Sequence, residues 1–215
     1  DSTTASCVEF DDDDIIVGNE ANRLYGIDSN VLGRFKREMG TNKTYEVNGA
    51  KYSPTQLSSF ILKKLYQDAE NQLGEISEVV ITIPANFSSE ARIATMEAAK
   101  NAGIKVDHII DEPTAAALYY AKEKNLKEGT YAVMDLGGGT FDISIINISN
   151  QETKVLTSSG VSKLGGDDFD KSLFDLAKEK YKKQTNKDLP TKYYNIVKAE
   201  KDKRTLSRKK KVNLD

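Results

Sequence analysis

The sequence predicts an α/β protein, and three observations support this class. Residues 79–125 alternate between short apolar runs and helical segments, a pattern typical of an α/β layer. Residues 131–134, 141–148 and 154–158 predict three strands of a meander, and the chain then becomes helical and rich in Lys. The length of 215 residues allows one large domain or two small ones.

Composition excludes several function classes. Charged residues make up 30% of the chain, and no stretch approaches the about 20 apolar residues of a membrane span. The 31 Lys and Arg against 33 Asp and Glu give a net charge of −2, so we expect no nucleic-acid partner and no membrane partner. One cysteine, Cys7, cannot form an internal disulfide, which favours a reducing, cytoplasmic compartment. The chain begins at Asp1 without a signal-peptide pattern, so we expect a fragment or a processed chain.

Two hairpins and a helix are predicted in the first third. Residues 6–17 alternate around an acidic turn at residues 11–14, which is either a solvated turn, the favoured interpretation, or a metal site. Residues 45–52 predict a second hairpin around Asn48 and Gly49. Ser53, as N-cap, and Pro54 begin an amphipathic helix that ends at Gly74.

The next elements alternate. Residues 79–83 predict a strand buried on both faces. Ser88 or Ser89 caps a helix that Gly103 closes. Residues 106–110 predict another strand, and Pro113 opens the following helix.

The last third is predicted to be mainly helical. Helices are expected over residues 168–184 and about 191–207, and a strand is expected to begin at residues 212–214. The lysines of this region form either a polyanion-binding patch or a solvated helix face. The acidic residues interleaved with them favour the solvated face.

The sharpest motif is Asp-Leu-Gly-Gly-Gly-Thr-Phe-Asp at residues 135–142. Three glycines allow several backbone N–H groups to converge on an anion such as a phosphate. The Thr hydroxyl is a further donor, and Asp135 can hold a hydrated Mg²⁺. The simpler interpretation is a hairpin turn that needs positive φ angles, but three successive glycines exceed that need. Phosphate binding is therefore favoured.

Two further motifs are ambiguous alone but are consistent with a phosphate-binding site at residues 135–142. Glu112 follows a predicted strand and precedes Pro113, where it is either a helix N-cap or a group that holds a metal-bound or attacking water. Lys36 and Arg37, taken alone, are a basic surface pair.

Together these segments resemble the nucleotide-binding domain of the heat shock protein 70 chaperone family. The similarity follows the family's order along most of the chain, including Glu-Pro-Thr-Ala-Ala-Ala at residues 112–117 and Leu-Gly-Gly-Asp-Asp-Phe-Asp at residues 164–170. The other matching strings are residues 3–6, 16–21, 80–87 and 200–207. Ala5 stands where the family usually has Pro.

The resemblance implies an actin-like (ribonuclease H-like) ATPase fold with two lobes, truncated at both ends because the family's first phosphate loop and late adenosine loop are not found. Residues 1–125 would form lobe I, with a small subdomain at about 11–76. Residues 126–215 would start lobe II, with an incomplete small subdomain from about 164. From this truncation we expect the 215-residue chain alone to bind ATP weakly.

Specific residue roles also follow from the resemblance. The implied catalytic residues are Lys36, Glu112, Asp135 and Asp142, with Asp135 and Glu112 contacting Mg²⁺ through water. The implied nucleotide-binding residues are Thr3, Thr4, Gly137, Gly138, Gly139, Thr140, Gly166, Glu200, Lys203, Arg204 and Ser207. Pro84 and Arg92 match the family's proline switch and arginine relay.

The implied cofactors are ATP or ADP and Mg²⁺. The implied partners are unfolded client peptides, bound through a C-terminal domain outside this chain, a J-domain co-chaperone and a nucleotide exchange factor. Two other functions remain open, a small-molecule kinase of the same superfamily and a non-catalytic interaction module. The small charged subdomain counts against the first, and the presence of Lys36, Glu112, Asp135 and Asp142 counts against the second.

Overall fold

The computed structural model describes residues 3–12, 14–124, 127–149 and 152–212. These residues form a mixed fold of helices and small sheets, which confirms the predicted α/β class. Asp13 of the acidic turn and residues 213–214 of the predicted last strand lie outside the described residues. Among the described helices, none has both the length and the apolar character required to cross a bilayer.

The first sheet has the order β2-β1-β3 and carries one wall of the site. The predicted hairpin is confirmed, since β1 pairs antiparallel with β2 and Val8 faces Val17. A 3₁₀ turn follows β3 and is anchored by Phe35, which is buried in the core with Val8 and Leu57. The elements are β1 Cys7–Asp11, β2 Asp14–Val17, α1 Asn19–Asn22, β3 Val31–Gly33 and the 3₁₀ turn Phe35–Glu38.

The second hairpin and the long helix after it are also confirmed. Ser53 and Gln56 form a reciprocal capping box in which the Ser53 side chain accepts from the Gln56 backbone N–H. The helix ends at Gly74, whose φ of 80° suits glycine. The elements are β4 Tyr45–Val47, β5 Ala50–Tyr52 and α2 Pro54–Leu73.

A parallel strand pair and two helices form the middle of the chain. Ser88 caps α3 as predicted, and β6 runs parallel to β7 with Ile83 opposite Asp111. The prediction that β6 is buried on both faces is wrong, because β6 pairs only with β7 within the described residues and Val80 is half exposed. The elements are β6 Val80–Ile83, α3 Ser89–Asn101, β7 His108–Asp111 and α4 Glu112–Lys124.

The predicted meander is confirmed, with the order β10-β9-β8. Alternate residues of β9 are buried, including Asp142, Ser144 and Ile146, and α4 packs against all three strands. Since α4 also contacts β6 and β7, it connects the parallel pair to the meander. The strands are β8 Gly129–Leu136, β9 Phe141–Ser149 and β10 Glu152–Val161.

Two packed helices end the described chain. The helices are α5 Gly166–Thr185 and α6 Ile196–Leu206. Ala177 and Tyr194 pack with Ala199 in their shared core. The predicted start of α6 at about residue 191 is too early, because the Asn195 side chain accepts the Lys198 N–H as an N-cap and the helix begins at Ile196.

Candidate functional site

The glycine motif forms the turn between β8 and β9. Asp135 and Asp142 face each other across this strand pair, and the Gly137 N–H donates to the Thr140 carbonyl at 3.0 Å. Gly137 and Gly138 are exposed at the tip, whereas the Thr140 side chain is buried at its base. The turn is therefore a short exposed backbone segment held by a rigid hairpin.

Gly137 and Gly138 are not explained by backbone conformation or by packing, whereas a Cβ at Gly139 would lie 3.1 Å from the Arg37 side chain. Gly137, Gly138 and Gly139 all lie outside the positive-φ region that favours glycine. A Cβ at Gly137 would have no atom closer than 3.6 Å, and one at Gly138 would have none closer than 3.9 Å. The positive-φ interpretation of this turn is therefore wrong, and the absent side chains leave open space above the backbone.

Asp142 provides a buried carboxylate beneath the turn. The residue is 1% exposed, and its Oδ2 atom has no hydrogen-bond partner within the described chain. Burial raises the pKa of Asp142 above its ordinary value, partly offset by hydrogen bonds from Thr140 and the Asn86 backbone. An unpartnered buried carboxylate oxygen at a site is suited to accept from an ordered water.

Lys36 and Glu112 meet at the same place from distant parts of the sequence. Phe35 anchors the 3₁₀ turn, and β7 delivers Glu112 as the first residue of α4. Lys36 Nζ lies 2.5 Å from Glu112 Oε1, with side-chain exposures of 56% and 22%. The ion pair is accessible, so both groups can exchange this contact for a ligand.

A cavity of about 280 Å³ is lined by Lys36, Glu112 and the glycine turn, whereas Asp135 and Asp142 are not in its lining. Its lining contains seven of the predicted site residues, and it also includes Cys7 and Arg34. The predicted residues in the lining are Lys36, Glu112, Gly137, Gly138, Gly139, Thr140 and Glu200. Thr3 and Thr4 are not in this lining, which begins at Ala5, and the Thr3 carbonyl accepts from the Asn19 side chain.

The N-terminus of α5 packs directly against the glycine turn. The Gly166 N–H donates to the Gly137 carbonyl at 3.0 Å, and the Asp167 N–H donates to the Gly138 carbonyl at 2.9 Å. A Cβ at Gly165 would lie 2.6 Å from Gly138 O, closer than real Cβ contacts, so glycine is required there by the close approach. These contacts fix the position of the turn against α5.

Two arginines that the sequence analysis did not assign connect the first sheet to α5. Arg37 forms a bidentate pair with Asp168, at 2.9 and 2.6 Å, and donates to the Gly138 carbonyl. Arg34 lies 3.2 Å from both Asp167 and Asp170. The only signal in the sequence is opposite charge, with two arginines three residues apart and three acids within residues 167–170.

The pKa values of these acids differ because their surroundings differ. The hydrogen bond from Arg37 lowers the pKa of Asp168. Burial raises the pKa of Asp167, and the charges of Arg34 and Arg37 partly offset this effect.

Of the predicted residues on and just after α6, only Glu200 lines this cavity. Glu200 lines both this cavity and a neighbouring one of about 580 Å³, whose lining includes Arg204. Lys203 Nζ donates to the Gly166 carbonyl at 2.8 Å and lies 2.6 Å from Asp170. The Ser207 hydroxyl is 3.5 Å from the Lys203 carbonyl and is exposed.

Pro84 and Arg92 lie outside the cavity lining. Pro84 is fully buried after β6, and its carbonyl accepts the Phe87 N–H. Arg92 Nη2 lies 2.8 Å from Asp111, the residue immediately before Glu112. Arg92 therefore contacts the residue that precedes Glu112, and Glu112 lines the cavity.

The residues present fit a nucleotide phosphate group with a hydrated cation. Within the described part of the chain, no three His, Cys, Asp or Glu side chains converge to ligate a metal directly. Mg²⁺ usually keeps several waters and takes only one or two carboxylates besides substrate phosphates. The cross-strand pair of Asp135 and Asp142 and the open glycine turn match that requirement.

The fold and site define an α/β protein in which an exposed glycine turn, Lys36 and Glu112 line one cavity, and in which two carboxylates, Asp135 and Asp142, flank the turn. These are features of phosphate-handling sites. A family model described as Hsp70 protein matches residues 1–215. The chain therefore belongs to the Hsp70 family, and its mixed helix and sheet fold is consistent with the actin-like ATPase domain of that family.

Two curated relatives agree with this assignment. The chain is 45% identical over 159 residues to the chaperone protein DnaK of Mycoplasma mobile, covering 74% of this chain and 26% of the relative. It is 42% identical over 188 residues to the chaperone protein DnaK of Mycoplasma mycoides subsp. mycoides, covering 87% of this chain and 32% of the relative. The chain thus spans about a third of these relatives or less.

Proposed function

We propose that this chain is the ATP-binding and ATP-hydrolysing part of an Hsp70-type chaperone, in which nucleotide turnover drives peptide binding and release. The observation that carries this proposal is the turn at Gly137 and Gly138, where neither φ nor packing requires glycine and the backbone faces an open cavity. Backbone N–H groups at a glycine turn suit phosphate oxygens. Because the Gly137 N–H already donates to the Thr140 carbonyl, the N–H groups of Gly138 and Gly139 are the proposed donors.

Each site residue has a distinct proposed role. The turn and the Thr140 hydroxyl bind and orient the phosphates, and Lys36 offsets the charge that develops on the terminal phosphate. Asp135 and Glu112 hold Mg²⁺ through water, and Asp142 with Glu112 orients the attacking water. When bound, Mg²⁺ would neutralise phosphate charge and restrict the phosphate geometry.

The lining supports a direction for the nucleotide. The glycine turn and Lys36 line the 280 Å³ cavity, and Glu200 lines both that cavity and its neighbour beside α6. We propose that the phosphates occupy the turn and that the adenosine extends along α6 toward Arg204 and Ser207. Thr3, Thr4, Gly166 and Lys203 remain proposed nucleotide-binding residues from the family resemblance, although none of them lines either cavity.

The proposed organisation has two lobes. Residues 1–125, with the small subdomain at about 11–76, form the first, and residues 126–215, with a small subdomain from about 164, start the second. Pro84 and Arg92 would report the nucleotide state to a peptide-binding domain. Client peptides, a J-domain co-chaperone and a nucleotide exchange factor are the proposed partners, in the cytoplasm.

The test is Mg-ATP binding and turnover in the full-length gene product. Calorimetric binding of Mg-ATP, single-turnover release of phosphate and ATP-dependent loss of a bound unfolded peptide are all expected. Transfer of phosphate to an added sugar, without release of peptide, would instead indicate the kinase function. Absence of Mg-ATP binding would overturn the proposal.

A further inference from the structure

Arg34 is held in an unusual backbone conformation beside the cavity. It joins β3 to the 3₁₀ turn with a φ of 58° and a ψ of 22°, the left-handed region that few non-glycine residues adopt. Such a conformation persists where surrounding contacts fix it. The contacts of the guanidinium group therefore indicate why an arginine occupies this position.

The guanidinium group of Arg34 binds three carboxylates at once. Nε lies 3.2 Å from Asp167 Oδ1, and Nη2 lies 3.2 Å from Asp170 Oδ2 and 3.4 Å from Glu200 Oε2. Its central carbon is 5.7 Å from the centroid of the Tyr25 ring. Nε and Nη2 therefore already serve carboxylates, which favours a positioning role for Arg34 although it also lines the cavity.

Through these contacts Arg34 reaches two of the predicted nucleotide-binding residues. It contacts Glu200 directly. It reaches Lys203 through Asp170, whose buried carboxylate lies 3.2 Å from Arg34 and 2.6 Å from Lys203. One side chain at the end of β3 is thus connected to both Glu200 and Lys203 on α6.

The chemistry of Glu200 indicates which part of a nucleotide it contacts. A carboxylate in the cavity repels phosphate, whereas it accepts readily from hydroxyl groups. The hydroxyls of a nucleotide belong to its ribose. Arg204 and Arg34 bind different oxygens of Glu200, and a carboxylate has about four lone-pair sites, so acceptor capacity remains for a ligand.

We propose that Arg34 is a positioning residue that fixes Glu200 directly, and Lys203 through Asp170, to recognise the ribose hydroxyls of the nucleotide. This inference rests on the proposed ATP-binding function. It predicts that Arg34 contributes to the affinity for ribonucleotides but not for analogues that lack the recognised hydroxyl.

The test is a thermodynamic cycle between residue and ligand in the full-length gene product. Calorimetric Kd values are measured for ATP, 2′-deoxy-ATP and 3′-deoxy-ATP with wild type, Arg34→Asn and Arg34→Lys. Asn tolerates the left-handed conformation but lacks the guanidinium group, while Lys keeps the charge without the planar fork. Arg23→Asn is the matched control, because Arg23 is exposed and not in the cavity lining.

Wild type is expected to bind ATP about tenfold or more tightly than at least one deoxy analogue. Arg34→Asn should weaken the binding of ATP but not that of the deoxy analogue, so that the ratio of the two Kd values falls to within about twofold of one. Arg34→Lys should keep only part of the wild-type ratio. Arg23→Asn should match wild type. Thermal melts show whether each variant is folded. If Arg34→Asn is not folded, the Kd values of ATP and the deoxy analogues are compared between wild type and Arg34→Lys.

Two results would overturn the inference while the proposed function stands. One is equal weakening of ATP and both analogues by Arg34→Asn and Arg34→Lys, which would mean that Arg34 only joins the elements of the fold. The other is a wild-type protein that binds ATP and both analogues equally. Failure of wild type to bind ATP at all would overturn the proposed function itself, and this inference with it.

Discussion

Replacing Gly165 with alanine tests how the glycine turn is held. The new Cβ would lie 2.6 Å from the Gly138 carbonyl oxygen and 2.7 Å from that of Gly137, where ordinary contact begins at 3.4 Å. The backbone of α5 and the turn must therefore separate by about 0.8 Å. Both obstructing atoms are main-chain carbonyls, which cannot rotate away as a flexible side chain can.

The expected cost follows from two effects. Overpacking of this kind costs about 1–3 kcal/mol. The separation also strains the hydrogen bonds from Gly166 and Asp167 to the turn, each worth about 0.5–1.5 kcal/mol. Together they lower the free energy of unfolding by about 2–6 kcal/mol, or about 4–24 °C in Tm for a domain of this size.

Gly138→Ala is the matched comparison. Its Cβ would meet no atom closer than 3.9 Å and its φ is outside the positive region, so Tm should stay within about 2 °C of wild type. The methyl group would nevertheless occupy the space proposed for phosphate. Mg-ATP affinity should fall by about tenfold or more, the value of one charge-assisted hydrogen bond.

The assay is differential scanning fluorimetry without nucleotide, followed by calorimetric titration with Mg-ATP. A Gly165→Ala protein that melts like wild type would refute the argument from close packing. A Gly138→Ala protein with wild-type affinity would refute the argument that the turn reserves space for phosphate.

Three further predictions concern other parts of the site. Lys36→Ala should lower single-turnover hydrolysis of Mg-ATP by about 10²–10³-fold while leaving Tm nearly unchanged, since an exposed ion pair contributes about 0–1 kcal/mol; hydrolysis within twofold of wild type would exclude the role. Asp142→Asn should raise the Tm of the nucleotide-free protein at neutral pH and abolish hydrolysis. Burial raises the pKa of Asp142, so the ionised carboxylate destabilises the folded protein. This destabilisation is absent below the ordinary pKa of 3.8, where the group is protonated in both the folded and the unfolded chain, and it is complete above the raised pKa. Thermal melts across that pH range should show a Tm difference between Asp142→Asn and wild type that disappears in acid. A lower Tm for the variant than for wild type at neutral pH would contradict this prediction. Arg92→Ala should leave basal hydrolysis intact but weaken ATP-driven peptide release, measured as the peptide off-rate with and without ATP; an unchanged ATP response would show that Arg92 only pairs with Asp111.

Local features of the fold were predictable because neighbouring residues determine them. The capping box of Ser53 and Gln56 begins α2 where the sequence places it. The Asn48-Gly49 turn directs its hairpin because both residues take the positive φ angles of a turn that fits the strand twist. The start of α6 was misplaced, since a single N-cap at Asn195 overrides the helical propensity of the residues before it.

Burial could not be predicted from composition alone. The apolar run of β6 indicates a strand covered on both faces, but coverage depends on which strands and helices lie beside it, and those come from distant parts of the chain. Val80 is therefore half exposed although its sequence context is that of a buried strand.

The family pattern of a glycine turn with flanking acids, a lysine and a glutamate can be identified from the sequence alone. That neither φ nor packing requires glycine at positions 137 and 138 is evident only after folding, because φ angles and neighbouring atoms are properties of the folded chain. The same holds for Arg34, which is more than 130 residues from Asp170 along the chain. Folding brings the opposite charges together, and no local pattern marks that pair in advance.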